Sequence, residues 1–209
     1  MVFLLTEDIL FPDPALADED GLLAVGGDLS VERLLLAYQQ GIFPWFSDDE
    51  PILWYSPHER FVIYSGEIHI SRSMREFIQK NTYQITWDRD FDQVIRQCAA
   101  IPRKDQNGTW ITEDMIEAYI ALHQKGIAHS VEIWHEEKLI GGMYGVESGN
   151  IFCGESMFSL MPNASKLALI YICQEKPYTL IDCQFHTEHL HSMGGRYISR
   201  EAYMAILKS

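Results

Sequence analysis

The 209-residue sequence has few positively charged residues, and this scarcity excludes several classes of protein. It contains 16 Lys and Arg against 30 Asp and Glu, a formal net charge of −14 at pH 7. Such a chain is unsuited to coating DNA or to binding a membrane surface through bulk attraction to phosphates. The deficit is uneven: residues 1–60 hold 12 acids and two bases, whereas residues 61–110 hold six acids and seven bases. The second segment is therefore where an anion would bind at the least cost.

Disulfide motifs and long apolar runs are also missing. The four cysteines stand singly in apolar or periodic stretches, and no CxxC pair occurs: Cys98, Cys153, Cys173 and Cys183. This pattern predicts buried free thiols in a reducing compartment. No apolar run approaches the length of a membrane span, and the short apolar start of the chain leads at once into acidic residues, unlike a signal peptide. We therefore expect a cytoplasmic protein.

The composition that is present predicts a folded protein with two unequal parts. Hydrophobic residues make up 47% of the chain and aromatic residues 12%, which is enough for a packed core. The first 60 residues are rich in glycine, proline and acids around one clear helix, which begins after Ser30 and ends before Gly41. We predict a small N-terminal α/β domain over residues 1–62 and a larger C-terminal domain over residues 63–209.

Helical and strand-like patterns in the larger part occur in an informative order. We predict helices from Ser71 through Lys80, over 91–101, from Thr112 to Gly126, from Asn163 to about Glu175 and after Thr187, and strands over 83–88, 130–134, 139–146, 150–157 and 179–185. The order indicates an α+β fold in which the small domain packs on an N-acetyltransferase-like (GNAT-like) mixed sheet flanked by helices. An analogy of fold does not assign a function.

Several stretches together form a pattern too long to recur by chance. They are Gly21–Ser30, Gly41–Ser47, Trp54–Pro57, Gly108–Thr112, Gly141–Gly145, Phe152–Ser159, Asn163–Lys166 and Leu180–Gln184. In the same order, from about residue 10 to residue 205, they closely resemble the leucyl/phenylalanyl-tRNA-protein transferases of bacteria. The resemblance covers nearly the whole chain.

This resemblance implies an enzyme that transfers leucine or phenylalanine from tRNA to the α-amino group of a protein beginning with Arg or Lys, which marks that protein for degradation. Leu-tRNA and Phe-tRNA would be the donors. Aminolysis of an activated ester needs no ATP, metal or redox cofactor, so catalysis reduces to positioning, proton transfer and stabilisation of an oxyanion. We expect a monomer with no cofactor, no metal, and neither DNA nor a membrane as a partner.

Asp182 and Gln184 match the catalytic Asp and Gln proposed for the family. On a strand, two residues at this spacing share a face, while Ile181 and Cys183 take the other. Asp182 would orient the attacking amine and take its proton, and Gln184 would relay that proton or donate to the oxyanion. Without the resemblance, a polar pair at the solvated end of a strand is the favoured interpretation, and the resemblance reverses that order.

Three further residues are candidates for contacts with the two substrates. Glu155 lies in an apolar run, where a carboxylate is rare unless it is paired, and a cation of the acceptor would supply that pair. An internal ion pair or an exposed position is the alternative. Trp45 and Trp110 lie in loops, where the resemblance implies stacking of the 3′-terminal adenosine of the donor. The other three tryptophans lie in strand-like runs typical of a core.

The remaining candidates would bind the aminoacyl side chain and the tRNA backbone. The first group matches the side-chain pocket of the family, with an isoleucine in place of an aromatic residue common there: Met143, Phe152, Ile172 and Ile181. The second group consists of basic residues at helical spacing, with Arg103 and Lys104 in a nearby loop: Arg72, Arg75 and Lys80. Ordinary core and a solvated helix face are the respective alternatives.

Two other functions were considered against the sequence. An acetyl-CoA-dependent N-acetyltransferase needs a glycine-rich turn before a helix to bind pyrophosphate, and Ser159–Pro162 offers none. A metal-binding module would use a cluster near the end of the chain, Cys183, His186, His189 and His191. However, His191 is off the helical face of the other two histidines, and Cys183 should point away from Asp182. We expect these histidines to be structural or solvated.

Overall fold

A small four-stranded sheet forms the N-terminal part of the protein. The computed structural model describes residues 2–80, 82–101 and 110–209. The strands are β1 (Phe3–Leu5), β2 (Leu22–Gly26), β3 (Phe43–Pro44) and β4 (Leu53–Tyr55), in the order β1-β2-β4-β3. Helix α1 (Val31–Gln39) connects β2 to β3 and is capped by Ser30, whose hydroxyl accepts a hydrogen bond from the Arg33 amide. The helix buries Leu34, Ala37 and Tyr38.

A seven-stranded mixed sheet forms the rest of the framework. Its strands are β5 (Glu59–Tyr64), β6 (Gln84–Trp87), β7 (Ala128–His135), β8 (Lys138–Ser148), β9 (Ile151–Ser159), β10 (Leu180–Asp182) and β11 (Arg196–Ser199). They run in the order β11-β5-β10-β9-β8-β7-β6. Strand β10 is parallel to β9, and the other neighbours are antiparallel.

Helices cover both faces of this sheet. They are α2 (Arg72–Gln79), α3 (Phe91–Ala100), α4 (Glu113–Gln124), α5 (Ala164–Glu175), α6 (Glu188–Ser192) and α7 (Arg200–Leu207). One core cluster receives side chains from α1, α3, α4 and α7, and the other from α2, α5 and α6. Successive residues of β9 alternate between the clusters, with Phe152 in the second and Cys153 in the first, as the two-residue period of a strand requires.

The predicted fold class is confirmed: an α+β protein with a small N-terminal unit and a mixed sheet flanked by helices. The proposed domain boundary after residue 62 falls inside β5. The last strand of the small sheet, β4, ends at Tyr55, and the first strand of the large sheet, β5, begins at Glu59. All four cysteines are free, and all but Cys183 are buried. Within the described part of the chain, no helix is long and apolar enough to cross a membrane.

The pairing of β9 and β10 is short, and this creates an opening in the sheet. Their ladder joins Ile151–Cys153 to Leu180–Asp182. Strand β9 then continues to Ser159 along β8, whereas β10 ends at Asp182. Beyond this ladder the backbones of the two segments are no longer paired, so the segments separate and leave space between them.

Candidate active site

A cavity of about 640 Å³ occupies the opening between β9 and the segment after β10. Gly154–Met157 lines it from one side and Cys183–Phe185 from the other. Six of the residues predicted from the sequence line this cavity: Trp45, Trp110, Met143, Glu155, Ile181 and Gln184. A polar group therefore lies among mostly apolar walls, as is usual in a small-molecule site.

Glu155 is the acid at the centre of this cavity, and a set of neutral donors holds it. Its side chain is buried. The Tyr38 hydroxyl donates to Oε1 at 2.7 Å and the Gln184 Nε2 donates to the same oxygen at 3.1 Å. The Tyr119 hydroxyl lies 3.5 Å from Oε2. Tyr38 comes from α1 and Tyr119 from α4, so the small N-terminal unit helps to orient this carboxyl group.

Burial changes the acidity of Glu155. Loss of hydration raises the pKa of this carboxyl to about 8, against the opposing hydrogen bond from Tyr38. The nearby Asp182 carboxylate raises the pKa further, while Arg60 and Gln184 lower it. At neutral pH the group is therefore largely protonated in the unliganded protein. A cation entering the cavity would favour the carboxylate and lower the pKa.

The raised pKa predicts a pH-dependent stability that Glu155→Gln should remove. The folded-state pKa lies above the ordinary value of 4.5, so between about pH 4.5 and 8 the folded protein holds a proton that the unfolded chain has lost. Glu155 therefore makes the free energy of unfolding fall as pH rises through this window, by at most about 1.4 kcal/mol per pH unit. Urea unfolding at pH 5, 6, 7 and 8 measures this contribution.

The stability of the Gln variant relative to wild type should increase steadily across those four pH values. Glu117→Gln is a matched control, because Glu117 is an exposed acid on α4, and its curve should run parallel to the wild-type curve. Parallel curves for wild type and Glu155→Gln would contradict the raised pKa.

Asp182 lies behind the cavity and forms a buried ion pair. Its side chain is fully buried and accepts hydrogen bonds from Arg60, whose Nε lies 3.1 Å and Nη2 2.5 Å from Oδ2. The Arg60 guanidinium also donates to the Gly41 carbonyl at 3.0 Å and lies over the rings of Phe43 and Tyr203. These contacts fix the carboxylate from the side away from the cavity.

The other oxygen of Asp182 shapes the chain that carries Gln184. Asp182 Oδ1 accepts the Gln184 amide at 2.9 Å, and the Phe185 amide donates to the Cys183 carbonyl at 2.6 Å. Gln184 has a φ of 61°, a left-handed conformation that is uncommon for a residue other than glycine. The predicted strand through residue 185 is therefore wrong, because a side-chain bond and a tight turn end it at Asp182. The turn, rather than a shared strand face, directs the Gln184 side chain to Glu155.

Aromatic rings form one side of the cavity. Trp45 is 36% exposed, and its ring centroid lies 5.3 Å from that of Phe185 and 5.7 Å from that of Tyr55. Phe185 is 44% exposed and also lines the cavity. Sequence reasoning missed Phe185, although its position directly after Gln184 was a signal. Trp110 lines the cavity from a more buried position, and Gly108 and Thr109 of its motif lie outside the described residues.

The residues predicted for the aminoacyl pocket divide into two groups. Met143 and Ile181 line the cavity, but Phe152 and Ile172 do not. Both are fully buried in the same core cluster as Met143 and Ile181, behind the cavity wall. Leu169, one helical turn before Ile172 on α5, lines the cavity instead. Helical spacing indicates which face of α5 packs against the sheet. Which residue of that face reaches the cavity depends on where β9 and β10 separate.

The predicted basic residues lie on α2 or, for Lys80, at its C-terminal cap, and none of them lines the described cavity. Arg72, Arg75 and Lys80 are all exposed, and Arg72 forms an ion pair with Glu76 at 3.0 Å. Arg103 and Lys104 lie outside the described residues. This exposure agrees with both interpretations of these residues, a surface that binds the tRNA backbone and an ordinary solvated helix face.

The two other functions considered gain no geometric support. Among the described residues, no group of three or more histidine, cysteine or acidic side chains is placed to hold a metal ion. At the start of α5, the Ala164 amide donates to the Met161 carbonyl and the Ser165 amide to the Ser159 hydroxyl. These amides are therefore already engaged and do not form an open pyrophosphate site.

Comparisons with known proteins agree with the motifs. Residues 62–208 match the family model described as leucyl/phenylalanyl-tRNA protein transferase, and residues 27–58 match the model of its N-terminal domain. A protein of Flavobacterium johnsoniae named leucyl/phenylalanyl-tRNA–protein transferase is 51% identical over 211 residues, covering 100% of both chains. One of Syntrophus aciditrophicus with the same name is 57% identical and covers 96% of this chain and 85% of its own length.

The fold likeness to solved structures is more distant. A GCN5-related N-acetyltransferase of Kribbella flavida has a TM-score of 0.39 and 8% identity, covering 78% of this chain and 58% of that structure. The family models, by contrast, match most of the chain, and the two relatives match it over nearly its full length. The chain therefore belongs to the leucyl/phenylalanyl-tRNA–protein transferase family of aminoacyltransferases, which act on an aminoacyl-tRNA donor and a protein acceptor.

Proposed function

We propose that this enzyme transfers leucine or phenylalanine to proteins that begin with Arg or Lys and thereby marks them for degradation in the cytoplasm. The observation that carries the proposal is Glu155, a buried carboxyl on the cavity wall. Among the described residues, no Lys, Arg or His forms an ion pair with it. A cationic side chain of the acceptor would supply the missing partner, and the raised pKa means that Glu155 becomes ionised when that cation arrives.

Gln184 is proposed to contact the reacting amine. Its Nε2 donates to Glu155, so its carbonyl oxygen is oriented to accept a hydrogen bond from the attacking α-amino group. The amine nitrogen attacks the ester carbonyl carbon, the bond from that carbon to the ribose oxygen breaks, and the amine proton passes to the ribose oxygen. In place of the proton acceptor expected from the sequence, Asp182 is proposed to be a positioning residue that acts through Gln184, since it holds the Gln184 amide and does not line the cavity.

The donor is proposed to occupy the aromatic and apolar parts of the cavity. The terminal adenine would stack on Trp45 and Trp110, since a flat base gains stacking energy on an aromatic face. The leucyl or phenylalanyl side chain would contact Met143 and Ile181. Flexible methionine suits a pocket that accepts side chains of two shapes. Phe152 and Ile172 would shape this pocket from behind, a role that their buried positions support.

The exposed bases of α2 and its C-terminal cap are proposed to contact the tRNA backbone. Arg72, Arg75 and Lys80 belong to residues 61–110, where seven bases face six acids in an otherwise acidic chain. Contacts of this kind weaken steeply as salt concentration rises, which suits an enzyme that must release its tRNA after each transfer. We propose that the active form is a monomer.

A series of acceptor peptides tests the proposed function. With leucyl-tRNA as donor, peptides that begin with Arg or Lys should accept leucine, and a matched peptide that begins with Ala should accept little. Glu155→Gln should raise the KM for the Arg peptide by roughly 10-fold or more, because a hydrogen bond between charged groups is lost. Equal transfer to all three peptides, or an unchanged KM in the variant, would refute a role for Glu155 in recognising the cation.

A further inference from the structure

The two oxygen atoms of the Glu155 carboxyl group have different surroundings. Oε1 accepts two hydrogen bonds, one from the Tyr38 hydroxyl at 2.7 Å and one from the Gln184 Nε2 at 3.1 Å. Among the described residues, the neighbour of Oε2 is the Tyr119 hydroxyl at 3.5 Å, which is longer than an ordinary O–H···O hydrogen bond. A carboxylate oxygen has two lone pairs. Oε1 is therefore saturated, whereas Oε2 is able to accept a hydrogen bond from a ligand.

A pair of buried tyrosines produces this difference between the oxygens. Tyr38 and Tyr119 do not line the described cavity, so they reach the carboxyl group from the protein interior. Their hydroxyl oxygens lie 2.5 Å apart. Because Tyr38 donates its one proton to Glu155, Tyr119 donates its own proton to Tyr38. Both phenol protons are then used, and Tyr119 has none left for Oε2.

The difference between the oxygens determines how a cation can bind to Glu155. A guanidinium group donates two parallel hydrogen bonds to the two oxygens of an unoccupied carboxylate, whereas an ammonium group acts as a point charge. This two-oxygen contact is the usual advantage of arginine over lysine at a carboxylate. At Glu155 the contact is blocked, because Tyr38 and Gln184 occupy Oε1. Either cation is left with the same single oxygen.

We infer that Tyr38 determines acceptor specificity: together with Gln184 it occupies Oε1, restricts the acceptor cation to Oε2 and makes Arg and Lys nearly equivalent as first residues. Tyr38 acts through Glu155 and does not itself touch the acceptor, so it is a positioning residue. This role rests on the proposed function, in which Glu155 binds the first residue of the acceptor. It adds a reason why two cations of different shape are both accepted.

Tyr38→Phe tests this role, because it keeps the ring and frees one lone pair of Oε1. The readout is kcat/KM for a peptide that begins with Arg, divided by kcat/KM for a matched peptide that begins with Lys. The wild-type ratio should lie within about 5-fold of unity, and the variant ratio should be roughly 10-fold higher, through KM rather than kcat. Loss of the Tyr38 bond also raises the pKa of Glu155, but this weakens the binding of both peptides alike and cancels from the ratio.

Two control variants distinguish a freed oxygen from a loosened carboxyl group. Tyr119→Phe removes a phenol hydroxyl beside Glu155 but leaves both donors to Oε1, so it should keep the wild-type ratio. Tyr178→Phe removes a buried phenol hydroxyl that donates to a different acid, Glu147, at 2.6 Å, and it should keep the ratio as well.

The outcomes separate the role of Tyr38 from the proposed function. A wild-type ratio outside the 5-fold range stated above would overturn this role, and that measurement needs no variant to fold. An unchanged ratio in Tyr38→Phe would overturn it too, as would an equal rise in either control. After any of these results, Glu155 remains the cation site if Glu155→Gln raises the KM for both peptides. An unchanged KM in Glu155→Gln refutes the proposed acceptor site itself.

Discussion

Replacing Asp182 by asparagine is expected to lower the free energy of unfolding by about 3–5 kcal/mol, because it leaves a buried charge without its partner. The Arg60 guanidinium is almost fully buried, and Asp182 is the acid that it pairs with. Asparagine keeps an oxygen for the Gln184 amide, so the turn at residue 184 can survive while the charge is lost. Urea unfolding of wild type and variant at pH 7 measures the difference.

A double-mutant cycle isolates this ion pair from other effects of the substitution. Arg60→Met alone should also destabilise the protein, but the double variant Arg60→Met, Asp182→Asn should be clearly more stable than the sum of the single effects predicts. Glu67→Gln, which breaks the exposed pair with Arg196, is the control and should change stability little. Additive effects of Arg60→Met and Asp182→Asn would contradict a buried pair that holds the site together.

Replacing Gln184 by alanine is expected to lower the rate of a single turnover by roughly 10²–10³-fold, the usual cost of removing one preorganised hydrogen-bonding group from a reacting centre. Affinity for the non-transferable donor analogue 3′-deoxy-3′-(leucylamido)adenosine should change by less than about 3-fold, because binding relies on the aromatic and apolar walls. Rapid-quench measurement of leucine transfer to an Arg peptide gives the rate, and equilibrium binding of the analogue gives the affinity.

Gln184→Asn tests whether the rate depends on the length of the amide side chain or on the conformation of the turn. Asparagine suits the left-handed backbone of this position better than most residues do, so the turn should persist. Its amide is one methylene too short to bond both Glu155 and the incoming amine. The rate should therefore fall as in the alanine variant. A wild-type rate in either variant would remove Gln184 from the reacting centre.

Local rules of sequence predicted the helix starts well. Ser71 and Thr112 were expected to cap helices, and their hydroxyls accept the amides of Met74 and Met115. Ser30 acts in the same way on α1. A capping bond joins residues three apart, so the sequence contains everything that decides it.

Long-range contacts explain what the sequence could not reveal. Residues 179–185 read as one strand, but the strand ends where the Asp182 carboxylate takes the Gln184 amide, and Arg60, 122 positions earlier, holds that carboxylate in place. No local pattern in the sequence indicates that Arg60 forms a buried ion pair with Asp182. Helical spacing alone also does not show that Leu169, rather than Ile172, lines the cavity, because exposure to the cavity depends on where β9 and β10 separate.

The central claim is that the cavity around Glu155 and Gln184 joins an amino acid from tRNA to the α-amino group of a protein, and a single-turnover reaction tests it most directly. Enzyme in excess is mixed with leucyl-tRNA and a peptide that begins with Arg, and the peptide is then examined by mass spectrometry with fragmentation. The expected result is a peptide extended by one leucyl residue at its N-terminus, matched by loss of the ester from the tRNA, with no product from the same peptide carrying an acetylated N-terminus. Ester loss without peptide extension, or extension of the acetylated peptide, would contradict it.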